Sequence, residues 1–312
     1  MTVGPHTYGY VASWLALLAL TFDITRNQRR LRRIVRQGNR VYASILGFTI
    51  LSCLGSAIGI SYALSASNSS QLPVGWLRLL TYVDILPLVL VIAVLVRSQP
   101  VRPQANRPRR ILAIGAHPDD IEIACGGTLA RLRDEGHQVK ALILTLGDRG
   151  GDGHIRRLEA ANGARFLGLN ELTQLNLPDT CLEMDPVRQA IEDKIAAFHP
   201  DIVLTHSEHD RHQDHRIVHH ATLQAARRVN TILCYESPST TLDFRPELFI
   251  EIGDYVDVKI ESIHEHRNQA RKPYVDDALV RAQALVRGEQ AKTRYAEGFE
   301  IQRALVMSGG ML

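Results

Sequence analysis

Hydrophobic and polar positions follow two different patterns along the chain. From Arg110 onward, short apolar runs alternate with stretches in which apolar residues recur at helical spacing. The runs at Arg110–Gly115, Gln138–Leu146, Leu172–Leu177, Asp201–Thr205, Thr231–Tyr235 and Leu248–Ile252 predict strands. Gly127–Glu135, Ile155–Leu167, Pro186–Phe198, His215–Val229 and the stretches 254–269 and 277–296 predict helices. Strands alternating with helices specify βαβ units. The expected fold class is α/β: a Rossmann-like, mainly parallel sheet with helices on both faces.

Before residue 98 the apolar runs are longer. Tyr10–Phe22 is densely apolar, 41–66 runs 26 residues without a charge, and 79–96 is apolar except for Asp84. Runs of about 20 apolar residues match the hydrocarbon core of a bilayer. Three transmembrane helices are therefore expected, at 5–22, 41–66 and 76–97, with membrane lipids as partners. The segment DITRNQRRLRRIVRQGNR carries seven Arg against one Asp, and RSQPVRPQANRPRR adds five more Arg. By the positive-inside rule these flanks are cytoplasmic. That predicts a multi-pass membrane protein with its N-terminus outside and the domain after Arg110 in the cytoplasm. Residues 98–108, with three Pro, read as a linker. The expected organisation is a transmembrane region over 1–97, a linker over 98–108 and an α/β domain over 109–312.

Composition narrows the function. A net charge of +3 gives no reason to expect a nucleic-acid partner. The four Cys are scattered without a CxxC pair, which argues against a zinc ribbon or a disulfide framework. No GxSxG elbow, P-loop or GxGxxG is present.

The chemistry concentrates at strand ends, where open α/β sheets bind ligands. The first strand stops at AHPDD, the second precedes Asp148, the third precedes Asp179, and the fourth runs into HSEHDRHQDH. Six of the 13 His lie between His206 and His220. A catalytic zinc takes three N/O ligands and keeps a position for water. His117 and Asp120, three apart on one strand-end loop, offer two, and His206, His209, His212 or His215 offers the third. A divalent ion also compensates the adjacent charges of Asp119 and Asp120. Taken alone, His-Pro-Asp-Asp is equally a turn with a helix cap, and an iron triad fits the ligand types. His219, His220, His264 and His266 read as helix-surface or supporting residues. The Gly126–Gly127 pair reads as a helix entry needing small residues, or as a cradle for an anion.

AHPDD followed by GGTLARL resembles the PIG-L/LmbE-like family of zinc-dependent de-N-acetylases. The likeness continues in RRLEAANGARFLGL, LPDT, PDIVLTHSEHDRHQDHR and AEGFEIQR, so it covers about residues 110–305. The resemblance implies Zn²⁺ held by His117, Asp120 and His215. It implies Asp119 as the general base. His212 would stabilise the oxyanion or protonate the leaving amine, and Asp214 would orient His212. Arg156, Asp179 and Asp148 would contact the sugar, though the family often has Glu at the position of Asp148. The implied activity is hydrolysis of an acetyl group from an N-acetylated amino sugar, soluble or lipid-linked. The alternative from another class is a catalytically silent, metal-binding glycan or lipid sensor, but such a binder has no need of Asp119.

Overall fold

The computed structural model describes residues 107–305 throughout, and a few helical residues between Ala19 and Gly55. The chain divides into two compact units, Met1–Val101 and Arg102–Leu312. In the first unit, Ala19, Phe22 and most of residues 42–55 are helical.

The second unit carries a seven-stranded sheet. Its elements are β1 (Arg110–Gly115), α1 (Asp120–Asp134), β2 (Gln138–Thr145), α2 (Gly153–Leu167), β3 (Glu171–Leu177), α3 (Met184–Phe198), β4 (Ile202–His206), α4 (Gln213–Ala225), β5 (Thr231–Tyr235), β6 (Leu248–Glu251), α5 (Val256–His264), α6 (Asp277–Gln290) and β7 (Ala296–Arg303). The strand order is β3-β2-β1-β4-β5-β7-β6. The first five strands are parallel, and β7 runs antiparallel to both β5 and β6. The expected α/β sheet with helices on both faces is present, as a mixed sheet in which β7, next to the edge strand β6, runs against the other six strands.

Alternation along the strands builds the two faces. Ile111, Ala113, Val139, Ala141, Ile143, Ile202 and Leu204 pack under α1, α2 and α5. Leu112, Ile114, Leu142, Leu144, Val203 and Ile232 pack under α3 and α4 on the opposite face. Five of the six β1 residues are buried, as expected of a central strand covered on both sides.

Three elements differ from the sequence expectation. The predicted helix over 277–296 stops at Gln290, and Ala296–Arg303 forms β7 instead. The first helix begins at Asp120 rather than Gly127, and it breaks at Cys125, whose φ of −139° is not helical. Glu297 of β7 fills that break: its carboxylate accepts the Gly127 N–H at 3.1 Å and the Thr128 N–H at 2.7 Å, and pairs with Lys259 of α5 at 2.7 Å. Gly127 and Thr128 thus hold an anion supplied by the chain itself. A side chain at Gly127 would meet Ile252 at 3.0 Å, so the close approach of α1 also needs the missing Cβ.

The expectation of a multi-pass membrane protein is corrected. Among the described residues no helix is long and apolar enough to cross a membrane. The longest helices of the second unit have 15 residues. At 1.5 Å per residue that is about 22 Å, short of a hydrocarbon core of about 30 Å. The spans read at 5–22, 41–66 and 76–97 lie, apart from the few helical residues named above, outside the described residues.

Candidate metal centre

In the order β3-β2-β1-β4-β5, chain connectivity reverses direction between β1 and β4, and ligands bind at such a switch point beyond the strand ends. His117 follows β1, and His206 ends β4. The two segments singled out in the sequence therefore meet at the one crevice where the fold favours a ligand.

Three residues bring donor atoms together there, Asp120 through both of its carboxylate oxygens. His117 Nδ1 is 3.4 Å from Asp120 Oδ2 and 3.3 Å from His215 Nε2, and His215 Nε2 is 3.4 Å from Asp120 Oδ1. Around a tetrahedral zinc with bonds of about 2.0–2.1 Å, neighbouring ligand atoms stand about 3.3–3.4 Å apart. The donor set therefore fits a zinc ion in size and in type.

Other groupings of nearby donors exist: His117 with His212 and His215, Asp120 with His206 and His215, and His117 with Asp179 and Asp214. Hydrogen bonding disfavours each. His212 Nδ1 accepts the Asp214 N–H at 3.2 Å, so the proton of the neutral ring is on Nε2. His206 Nε2 accepts the Ala116 N–H at 3.1 Å, which occupies that lone pair. His117 Nε2 faces Asp179 at 3.1 Å and Asp214 at 3.2 Å, two acceptors that require it to donate. That leaves Nδ1 of His117 for a metal, with carboxylates behind the ring, the usual support of a ligand histidine.

Electrostatics point the same way. Burial opposes protonation of His117 and His215, but Asp120, Asp179, Asp214 and Asp210 outweigh it. His117 is raised well above the ordinary imidazole range, and His215 is raised to about 9. Burial also opposes ionisation of Asp120, yet His215, His206 and His117 hold its carboxyl well below the usual range. The cluster is a place that attracts positive charge.

Asp119 is separate from these three residues. It is buried, and its backbone is left-handed at φ 100°, a conformation uncommon for a residue with a side chain. Arg156 Nη2 lies 3.2 Å from its Oδ1, while its Oδ2 is buried without a hydrogen-bond partner. Burial, only partly offset by Arg156, pushes this carboxyl up to about 6. A carboxylate with one free oxygen and a raised pKa is suited to accept a proton.

The remaining expected site residues divide. Asp214 does not orient His212 through its side chain: its carboxylate takes His117 and the backbone N–H groups of Thr180 and Leu182, and only its own N–H reaches His212. Asp179 is buried, with one oxygen 3.1 Å from His117 Nε2 and the other accepting the Arg149 N–H at 2.7 Å. Arg156 is buried too, donating to Gly147 O at 2.7 Å, Pro118 O at 2.7 Å and Asp119. Of the three expected sugar contacts, Asp148 alone is exposed, on the loop after β2.

Some residues read as surface are not. His219 is buried and donates Nδ1–H to His206 O at 3.0 Å, and His266 is buried with its Nε2 3.6 Å from Glu122. His220 is exposed, and His264 pairs with Asp277 at 2.7 Å. Asp210, behind His215, and half-buried Tyr274 were not singled out. Burial, with the charge of Asp119 adding to it, pushes the Tyr274 phenol up to about 12. The D-x-H-x-D-H spacing was the available signal for Asp210.

A Rossmann-like sheet with a His-Asp-His cluster at its switch point and a free carboxylate alongside defines a metal-dependent hydrolase site. Residues 112–226 match the PIG-L family, described as GlcNAc-PI de-N-acetylase. The uncharacterized deacetylase YaiS of Escherichia coli (strain K12) is 40% identical over 173 residues, 53% of this chain and 94% of its own. The diacetylchitobiose deacetylase of Thermococcus kodakarensis is 31% identical over 221 residues, 62% of this chain and 83% of its own. Among solved structures, N,N'-diacetylchitobiose deacetylase from Pyrococcus horikoshii superposes with a TM-score of 0.57 at 26% identity, covering 65% of this chain and 86% of that one. A 4-carboxy-2-hydroxymuconate hydratase shares the fold with a TM-score of 0.57 at 22% identity, a likeness of fold alone. The chain belongs to the PIG-L family, whose deacetylases are metal-dependent, and it is an amidase.

Proposed function

We propose that residues 109–312 form a zinc-dependent deacetylase that hydrolyses the acetamide of an N-acetylglucosamine-type sugar. The observation that carries this reading is the convergence of His117 Nδ1, the two Asp120 oxygens and His215 Nε2, at separations of 3.3–3.4 Å, beside the unpartnered Oδ2 of Asp119. The substrate class is supported by two relatives named for diacetylchitobiose and for N-acetyl-α-D-glucosaminyl L-malate.

His117, Asp120 and His215 would hold the ion, which when bound supplies Lewis-acid activation of water and of the acetyl carbonyl. Asp119 Oδ2 takes a proton from the attacking water, and Arg156 keeps the opposite oxygen in place. His212, neutral and with its proton on Nε2, donates to the oxyanion that develops on the carbonyl oxygen. Asp119 then returns its proton to the sugar nitrogen. The water oxygen has bonded to carbon, the C–N bond has broken, and acetate and a free amine leave. Asp214 and Asp179 keep the His117 ring facing the ion. Asp148 remains the residue for contact with the sugar.

The test is release of primary amine from a panel of N-acetylglucosaminides, with and without chelator. Chelator-sensitive release is expected. No release from any member would remove the substrate assignment, and release unaffected by chelator would remove the metal.

A further inference from the structure

Asp210 lies on the loop between β4 and α4 and is buried. Its Oδ2 accepts from His215 Nδ1 at 2.9 Å and from the Ser237 hydroxyl. Its Oδ1 accepts from the Ser239 hydroxyl at 2.7 Å and from the His212 N–H at 2.8 Å. A carboxylate offers about four lone-pair positions, and donors take all of them here. Two of the donors sit on the loop after β5. The backbone joins the same two segments: Arg211 N–H donates to Ser239 O at 3.0 Å, Thr241 N–H donates to His209 O at 2.8 Å, and Asp210 bridges Thr240.

The consequence for His215 is specific. An ionised carboxylate only accepts, so Nδ1 must carry a proton. In the neutral ring the lone pair is then on Nε2, the atom that faces His117 and Asp120. Without Asp210 either tautomer is available, and the ring loses its anchor. The two hydroxyls fix the angle at which the carboxylate meets the ring, so the loop after β5 reaches the cluster through a single side chain.

We propose that Asp210, clamped by Ser237 and Ser239, is the positioning residue of the metal centre: it sets the tautomer and orientation of His215 and couples the loop after β5 to metal binding. This rests on the metal reading given above.

The experiment measures zinc affinity of the purified full chain by chelator competition, for the wild type, Asp210→Asn, Ser239→Ala and His215→Ala. Circular dichroism and melting of each zinc-free protein report folding separately. The ¹⁵N shifts of the His215 ring in the zinc-free protein, recorded above about pH 9 where the ring is neutral, report its tautomer. Asp210→Asn should bind zinc about 10–100-fold more weakly, and its His215 should lose the single Nδ1–H tautomer. Ser239→Ala should show a smaller loss in the same direction. In the wild type, zinc should slow amide exchange over residues 237–241. A folded Asp210→Asn protein with zinc affinity within about twofold of wild type overturns the positioning role. Should Asp210→Asn not fold, unchanged affinity in Ser239→Ala does so instead. Loop exchange indifferent to zinc overturns the coupling. A wild type that binds no zinc, or a His215→Ala protein that binds it equally well, brings down the metal reading and the proposal with it.

Discussion

Arg156 holds Asp119 by one oxygen and leaves the other free. The contact is 3.2 Å from Nη2 to Oδ1, both side chains are almost fully buried, and Oδ2 has no partner. Asp119→Asn keeps the shape and tolerates the left-handed backbone, but it cannot take a proton. Turnover should fall by about 10²–10⁴-fold with zinc content unchanged by elemental analysis. Full activity in this variant would mean that another group is the base.

The same contact separates two roles for Arg156. A residue that steadies the base affects kcat, whereas one that grips the sugar affects KM. Arg156→Met should lower kcat with little change in KM. It should also destabilise the protein by roughly 3–5 kcal/mol, because Asp119 becomes a buried carboxylate without its cation. A rise in KM alone would restore Arg156 as a sugar contact.

Asp179 and Asp214 share the Nε2 side of His117. Asp179→Asn should weaken zinc binding by about tenfold or more and leave KM for the sugar nearly unchanged. Equilibrium dialysis against zinc checks the first expectation and steady-state kinetics the second.

His219 is held neutral in the folded protein, chiefly by burial, and it donates Nδ1–H to His206 O. Its folded pKa lies below its unfolded value of about 6.5, so between the two the unfolded chain binds more protons. The contribution of His219 is therefore complete above about pH 6.5 and is lost as pH falls through the folded value. His219→Asn retains a donor and cannot titrate. From pH 8 to pH 5, the melting temperature of the wild type should fall more than that of the variant. Parallel profiles would show that His219 does not titrate on unfolding.

Glu297 stabilises α1 from a distant strand. Glu297→Ala removes the acceptor for Gly127 and Thr128 and strands Lys259, whose side chain is only 8% exposed. A loss of roughly 3–5 kcal/mol, or a melting shift on the order of 10 °C, is expected. A far smaller shift would mean that water takes over the broken turn.

The parallel strands were legible because central strands are continuous apolar runs, as in ILAIG and IVLTH. β7 was not, because Glu297 and Glu300 are buried within it. Glu297 caps α1, and Glu300 accepts from Ser207 at 2.6 Å and from the Arg245 N–H at 2.9 Å, so charged residues break the apolar pattern at buried positions. The HPDD and HxDH segments showed which residues converge. Spacing does not reveal which side of an imidazole a carboxylate meets, so Asp179, Asp214 and Arg156 face other partners than expected. The long apolar runs before residue 98 satisfied a length criterion, and no helix among the described residues meets it.

Every proposed metal ligand and the base lie between His117 and His215, inside the stretch 112–226 that matches the family. Yet the helix that begins at Asp120 is completed by a carboxylate at position 297. On a ribosome, all the chemistry would emerge well before the strand that sets its geometry. The catalytic stretch alone is thus expected to form no lasting site, and the order of synthesis delays an active hydrolase until its last strand has docked.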